Sequence, residues 1–313
     1  MKVSFNQSIS PNIKDNNGFG YAAKMCKESL NALGHEVTWR DPTADVEVNF
    51  IQPQHWHWTG PYRIGYVPWE STTLPDGWVE AMNEVDEVWT PSPVVAQWFR
   101  DAGVKKEVKV YQHGVDPIWT PQQRSTSGRF RVFHHGAEGL RKGGEQAYAA
   151  FQQTLWEEYA TIVFKMVLPQ FGVMGSHRIE PRPGRYTVKE LVDLYHSCNL
   201  MLYPSWGEGF GLTPLQAMAT GMPVVITQGW APYEYLLKDY NLIESELTES
   251  PEDWQKVHPG KMFKPSFPDL LDKLRYQWEN KEAMAQEAFE LAPKVHQDYS
   301  WIEHTRRAFE HLV

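Results

Sequence analysis

The chain has 313 residues, 42% of them hydrophobic and 22% charged, with a formal charge of −9 and fourteen tryptophans. This is an ordinary globular composition, long enough for two α/β domains, and its acidic total argues against a broadly basic nucleic-acid surface without excluding a local one. No apolar run is long enough to span a membrane, the N-terminus carries no secretory pattern, and two distant cysteines without CxxC spacing, Cys26 and Cys198, imply a reduced protein of the cytoplasm.

Strand-like and helix-like runs alternate along the chain. Residues 2–7 read as a strand, and 21–33 as a helix stopped by Gly34. Short strands follow at 36–39, 46–51 and 63–67, then a helix at 76–83, a strand at 87–90, a helix at 93–102 stopped by Gly103, and a strand at 107–112. Residues 116–129, rich in Pro, Ser, Thr and Gly, read as an interdomain linker. The alternation restarts with a strand at 130–134, a helix at 143–156, strand 161–167, helix 188–196, strand 200–203, helix 215–219 and strand 223–227; the remainder looks mainly helical. Two βαβ blocks with short loops imply two Rossmann-like, doubly wound parallel sheets with ligands at the carboxyl ends of their strands. The expected division is 1–122, 123–294 and a last helix, 295–313.

The densest motif is PSWGEGFGLTPLQAMATGMPVV, residues 204–225. Gly207, Gly209 and Gly211 bracket Glu208 and Phe210 where a strand gives way to a helix. Thr213 reads as the helix N-cap and Pro214 as its first residue. Free N–H groups at such an end favour an anion, and glycine lets a ligand approach the backbone closely. A carboxylate there repels phosphate, so Glu208 is suited to hydroxyls. A hydroxylated group joined to a phosphate is a nucleotide sugar.

The segment EGFGLTPLQAMATGMPVV resembles the signature of family 4 retaining glycosyltransferases of the GT-B fold. GFGYAAKMCKESLNALGHEV resembles that family's first glycine loop and helix, WTPSPVVAQWFRDAGV and HGVDP the segments before the linker, and GLRKGGEQAYAAF its basic phosphate-binding stretch. The resemblance implies a GT-B fold, a nucleoside-diphosphate sugar as donor (UDP-sugar favoured, GDP-sugar the alternative), no required cofactor or metal, and retention by front-face attack. Arg141 and Lys142 would offset charge on the leaving diphosphate, aided by N–H groups at Gly209, Phe210, Gly211 and Leu212. Glu208 would hold donor-sugar hydroxyls and Gln216 the ribose. Gly18 and Gly20, with Ala23 in a GxGxxA pattern, and Arg182, in the stretch where the family cradles the base, complete the donor candidates; an ordinary helix start and an ordinary Pro-Gly turn are the competing readings.

The chain departs from the family pattern in three places. The second acid is Gln216, which with Thr213 also fits a capping box. The common arginine after the glycine is Ala137, with Arg141 as a replacement charge. Where the family places a histidine after an N-domain strand, the chain has Trp69 and Glu70, making Glu70 the acceptor-side candidate. His55, Trp56, His57 and Trp58 read as a cleft lip, an acceptor platform or plain packing; metal binding would need further ligands. The terminal helix carries Trp301, Ile302 and Phe309 on roughly one side.

The expected partners are thus a nucleotide sugar and an acceptor glycan, lipid-linked sugar or small molecule, without integral membrane association. An alternative acceptor is 5-hydroxymethylated pyrimidine in DNA, as in compact phage enzymes, served by the 55–58 aromatics with Arg63, Lys105 and Lys106. A noncatalytic sugar-nucleotide-binding protein is a further alternative.

Overall fold

The structure, a computed structural model, describes residues 1–7, 18–136, 140–166 and 176–313. It forms two compact units: Met1–Asp116 with Glu252–Lys261 and Tyr299–Val313, and Pro117–Pro251 with Met262–Asp298.

In the first unit, β1 (Lys2–Asn6), β2 (Glu36–Thr38), β3 (Val46–Asn49), β4 (Arg63–Tyr66), β5 (Glu87–Thr90) and β6 (Val108–Val110) form one parallel sheet in the order β2-β1-β3-β4-β5-β6. The crossovers carry α1 (Gly18–Ala32), α2 (Trp78–Asn83) and α3 (Pro93–Asp101). Inner strands β3 and β5 are buried throughout, as parallel strands covered on both faces must be.

In the second unit, β7 (Phe130–His135), β8 (Ala160–Met166), β9 (Ile179–Pro183), β10 (Leu200–Tyr203), β11 (Val224–Thr227) and β12 (Leu242–Ile243) run in the order β12-β11-β10-β7-β8-β9, again parallel. Helices α4 (Gly144–Thr154), α5 (Val188–His196), α6 (Leu212–Ala219), α7 (Phe267–Glu279) and α8 (Lys281–Asp298) surround it, and β13 (Ser245–Glu249) pairs with β14 (Lys261–Pro265). One core joins Ala147, Ala150 and Phe151 of α4 to Val132, Ile162, Phe164, Leu200 and Leu202 of the sheet and to Leu270 and Leu274 of α7.

Several elements differ from the sequence expectation. Residues 117–129 are part of the second unit rather than a free linker, because Arg124, 6% exposed, donates to the carbonyls of Tyr195, Cys198 and Thr220 near the ends of α5 and α6. Carbonyls at a helix end lack the full set of intrahelical donors, and a guanidinium serves several at once. Strand β9 runs through Pro181 and Pro183 up to the Pro-Gly turn, where Gly184 has φ +92°; it occupies the sheet edge, where a missing N–H is tolerated. Strands β12, β13 and β14 interrupt the region read as helical.

In α9 (Trp301–Phe309), Ser300 caps the start and Trp301, His304, Thr305 and Phe309 are buried, whereas Ile302 is 45% exposed. One residue's step of about 100° turns it off the packed face. Among the described residues no helix is long and apolar enough to cross a membrane.

Candidate active site

The second sheet reverses its strand order between β10 and β7, which is where open α/β sheets bind ligands beyond the strand ends. Two loops leave those ends. One follows β7 and carries Arg141 and Lys142; the other follows β10 and carries residues 204–211. They meet backbone to backbone. Gly143 has φ +72°, and a Cβ there would lie 2.1 Å from the Pro204 carbonyl oxygen, so only glycine fits. Trp206 N–H donates to Arg141 O at 2.8 Å, and Arg141 Nη1 donates to Gly207 O at 2.8 Å.

This contact brings Lys142 to Glu208. The ammonium Nζ lies 2.7 Å from Oε1 and 2.8 Å from Oε2. The Tyr203 hydroxyl donates to Oε1 at 2.9 Å, and Ser205 Oγ lies 2.8 Å from the same atom. Glu208 is 7% exposed. Burial pushes its carboxyl up, but the Lys142 and Arg141 charges, with hydrogen bonds from Lys142 and Ser205, outweigh that and hold it below its ordinary range. Burial, then the neighbouring carboxylate, drives the Tyr203 phenol well up, so it stays a donor.

The turn differs from the sequence expectation in its details. Of Gly207, Gly209 and Gly211, only Gly211 has positive φ, +84°. It is the N-cap of α6, and a Cβ on it would meet the Trp230 ring at 2.3 Å and the Tyr233 hydroxyl at 2.6 Å. The helix therefore opens at Leu212. Thr213 is inside it rather than at its cap, and the capping box expected with Gln216 does not form. The same signature is realised at Thr187 and Glu190, where α5 begins. Gln216 is 8% exposed within α6, and Phe210 is 3% exposed. With Pro214 lacking an N–H, Leu212 and Thr213 carry the N–H groups of the first turn that helix geometry leaves without an intrahelical acceptor.

Behind this turn His134 Nδ1 lies 2.9 Å from Leu202 O, and burial lowers its pKa to about 4. His135 Nδ1 lies 2.8 Å from the Tyr195 hydroxyl, and burial, then Lys165, lowers its pKa to about 3. Both are neutral imidazoles at neutral pH. Arg182 is exposed on β9 and bound to Glu180, which also holds Arg131. Tyr203, Ser205 and Trp230 complete the Glu208 setting and went unnoticed in sequence, because a phenol, a hydroxyl and an indole beside a glycine turn carry no spacing signal. Ala137 lies outside the described residues.

The remaining candidates belong to the first unit. Gly18 is exposed and Gly20 buried at the start of α1, while residues 15–17 of their motif lie outside the described residues. Trp56 lies against Gly65, where a Cβ would fall 2.1 Å from its ring, and its Nε1 donates to Ile51 O at 2.8 Å. Trp58 stands edge-on to it at 5.4 Å, and His55 and His57 are exposed. Packing thus explains Trp56. Trp69 is buried and donates to Thr73 O; Glu70 faces His258 at 3.5 Å. Arg63, Lys105 and Lys106 sit at the amino ends of β4 and β6, the sheet edge opposite Glu70. No group of three or more His, Cys, Asp or Glu among the described residues is arranged to hold a metal ion.

Residues 169–307 match the family described as GT4-conflict, Family 4 Glycosyltransferase in conflict systems. A putative glycosyltransferase of a Sulfolobus islandicus filamentous virus is 22% identical over 296 residues, 83% of this chain and 80% of the relative. Sucrose-phosphate synthase from Thermosynechococcus elongatus shares the fold with a TM-score of 0.70 at 12% identity, over 99% of this chain and 97% of that one. Anabaena HepE, solved with UDP-glucose, does so with a TM-score of 0.65 at 16% identity, over 95% and 84%. Two parallel Rossmann-like units, with the glycine-bracketed turn at the strand reversal of the second, define the GT-B fold. The family it resembles, by its signature and these relatives, is family 4.

Proposed function

We propose that the chain transfers a sugar from a UDP-sugar to a hydroxyl acceptor with retention of anomeric configuration. The observation that carries this reading is the buried Lys142–Glu208 pair at the mouth of α6. The pair puts one fixed positive and one fixed negative charge side by side. A leaving diphosphate needs the first, and sugar hydroxyls need the second. Lys142 and the free N–H groups at the start of α6 would offset charge growing on the diphosphate. Arg141 adds positive charge while bracing Gly207. Glu208 would accept from donor-sugar hydroxyls, and Gln216 from or to the ribose. The diphosphate itself would assist deprotonation of the acceptor. HepE bound to UDP-glucose supports uridine as the base.

The test is UDP release from a panel of UDP-sugars, with and without glycan, lipid-linked and small-molecule acceptors, followed by assignment of the product anomer by NMR. Acceptor-stimulated release with an unchanged anomer is expected. No UDP binding overturns the reading, and UDP binding without any transfer favours a noncatalytic binding protein.

Transfer to hydroxymethylated pyrimidine in DNA is a second reading, supported by the viral source of a relative. Mass spectrometry of digested hydroxymethylcytosine DNA after incubation with the same donors tests it. The separation of Arg63, Lys105 and Lys106 from Glu70 argues against a single DNA track through these residues.

A further inference from the structure

Glu70 lies beyond the carboxyl end of β4, the edge of a parallel sheet where α/β folds take ligands. Its Oε2 lies 3.5 Å from Nδ1 of His258. That histidine comes from Glu252–Lys261, a segment far along the chain that forms part of the first unit. Its imidazole lies 4.6 Å from the Trp69 ring and is stacked at 5.6 Å on Trp254.

The segment is pinned where it meets the loop after β4. Thr72 N–H donates to Lys261 O at 3.0 Å, and Lys261 N–H donates back to Thr72 Oγ1 at 2.9 Å. Gly260 has φ +81°, and a Cβ there would fall 2.2 Å from Thr73 Oγ1. Trp69, in turn, packs on Trp78 at 4.5 Å. The imidazole thus packs against the indoles of Trp69 and Trp254 on a segment anchored to the loop after β4, the kind of support that keeps a binding group in one orientation.

The two partners are not equally buried. The Glu70 side chain is 21% exposed and that of His258 8%. The pair therefore turns its carboxylate, rather than its imidazole, toward solvent, with half-buried Trp254 beside it. A carboxylate accepts strong hydrogen bonds from hydroxyls, and an indole offers an apolar surface to a ring's C–H face. A pyranose ring uses both at once.

We propose that Glu70 and Trp254 bind the acceptor, that the acceptor presents a hydroxylated pyranose ring, and that His258 is a positioning residue holding the Glu70 carboxylate. This rests on the glycosyltransferase reading above and names the acceptor class for it. Methyl α-D-glucopyranoside is the probe, added to the full chain with saturating UDP and followed by saturation-transfer NMR. Wild type should saturate the ring protons of the probe. Affinity should fall roughly tenfold or more in Glu70→Gln, Trp254→Ala and His258→Ala, the size of a lost charge-assisted contact. His258→Asn, which keeps a polar N–H group beside the carboxylate, should recover part of the loss. Calorimetric UDP affinity should be unchanged in all four.

Absence of probe binding in UDP-loaded wild type overturns the proposal. So does wild-type binding by Glu70→Gln, or a His258→Asn variant as impaired as His258→Ala, which would make the imidazole mere packing. If His258→Ala fails to fold, Glu70→Gln and His258→Asn decide the matter. Failure of wild type to bind UDP strikes the glycosyltransferase reading instead.

Discussion

The ammonium of Lys142 and the carboxylate of Glu208, 66 residues apart in the chain, meet at 2.7 and 2.8 Å beneath the first turn of α6. Neither charge is open to bulk water, with side-chain exposures of 17% and 9%. Breaking such a pair from one side leaves a buried charge uncompensated, whereas a neutral substitute of the same shape disturbs it least.

Glu208→Gln should therefore keep the fold and bind UDP while transfer falls by roughly 100-fold or more, the scale set by removing one preorganised electrostatic contact. Circular dichroism, UDP calorimetry and a transfer assay on the same preparation check it. Undiminished transfer by this variant would remove Glu208 from the reaction, and loss of folding would assign it a structural role.

Lys142→Ala should weaken UDP binding by roughly 1.5–3 kcal/mol, about 10- to 150-fold, the range for a hydrogen bond to a charged group. Calorimetry against wild type measures this. Equal affinity would place the diphosphate elsewhere.

Gly143→Ala and Gly211→Ala should each destabilise the second unit by about 2 kcal/mol or more, since a left-handed backbone conformation alone costs roughly 1–2 kcal/mol for a residue with a Cβ. Both also drive a Cβ into neighbours, Pro204 O at 2.1 Å and the Trp230 ring at 2.3 Å. Gly18→Ala, with nothing within 4 Å, is the control and should unfold at the wild-type temperature. Thermal melts that fail to rank the variants in this way would contradict the loop-on-loop contact.

Stability should respond to acid in two windows. Burial lowers His134 to about 4 and His135 to about 3 from an ordinary 6.5, so the unfolded chain binds these protons first. Their contribution is fully present above pH 6.5 and is lost as pH falls toward 4 and then 3. Glu208, also lowered in the folded state, contributes above its ordinary 4.5 and loses that contribution only below it. Urea melts across pH 4–7 should show a falling midpoint, with a shallower fall in His134→Gln. An unaltered slope in that variant would mean that His134 does not stay neutral in the folded protein.

Much of this was legible in the chain. Alternating apolar runs with Gly34 and Gly103 as stops mark βα units, because helix and strand periods are local properties of the backbone. The glycine-flanked acid at 208 and the basic pair at 141–142 were readable as a candidate site for the same reason: turn chemistry and charge stand next to each other in sequence. Local pattern misled where neighbours in space overrode it. Thr213-Pro-Leu-Gln216 has the form of a capping box, yet Gly211 takes the cap because Trp230 and Tyr233 close over it. The Pro- and Ser-rich stretch at 116–129 has the form of a linker, yet Arg124 inserts among helix-end carbonyls.

The sequence by itself determined the two-sheet α/β plan, the glycosyltransferase resemblance and the identity of the charged residues at the turn before α6, since these depend on periodicity, spacing and side-chain chemistry. Only the tertiary structure decided that Lys142 and Glu208 neutralise one another, that Tyr203 and Ser205 hold the carboxylate, and that His258 faces Glu70. Each of those is a contact between groups distant in the chain, and an electrostatic or hydrogen-bonding partner is selected by distance in space, to which sequence separation is blind.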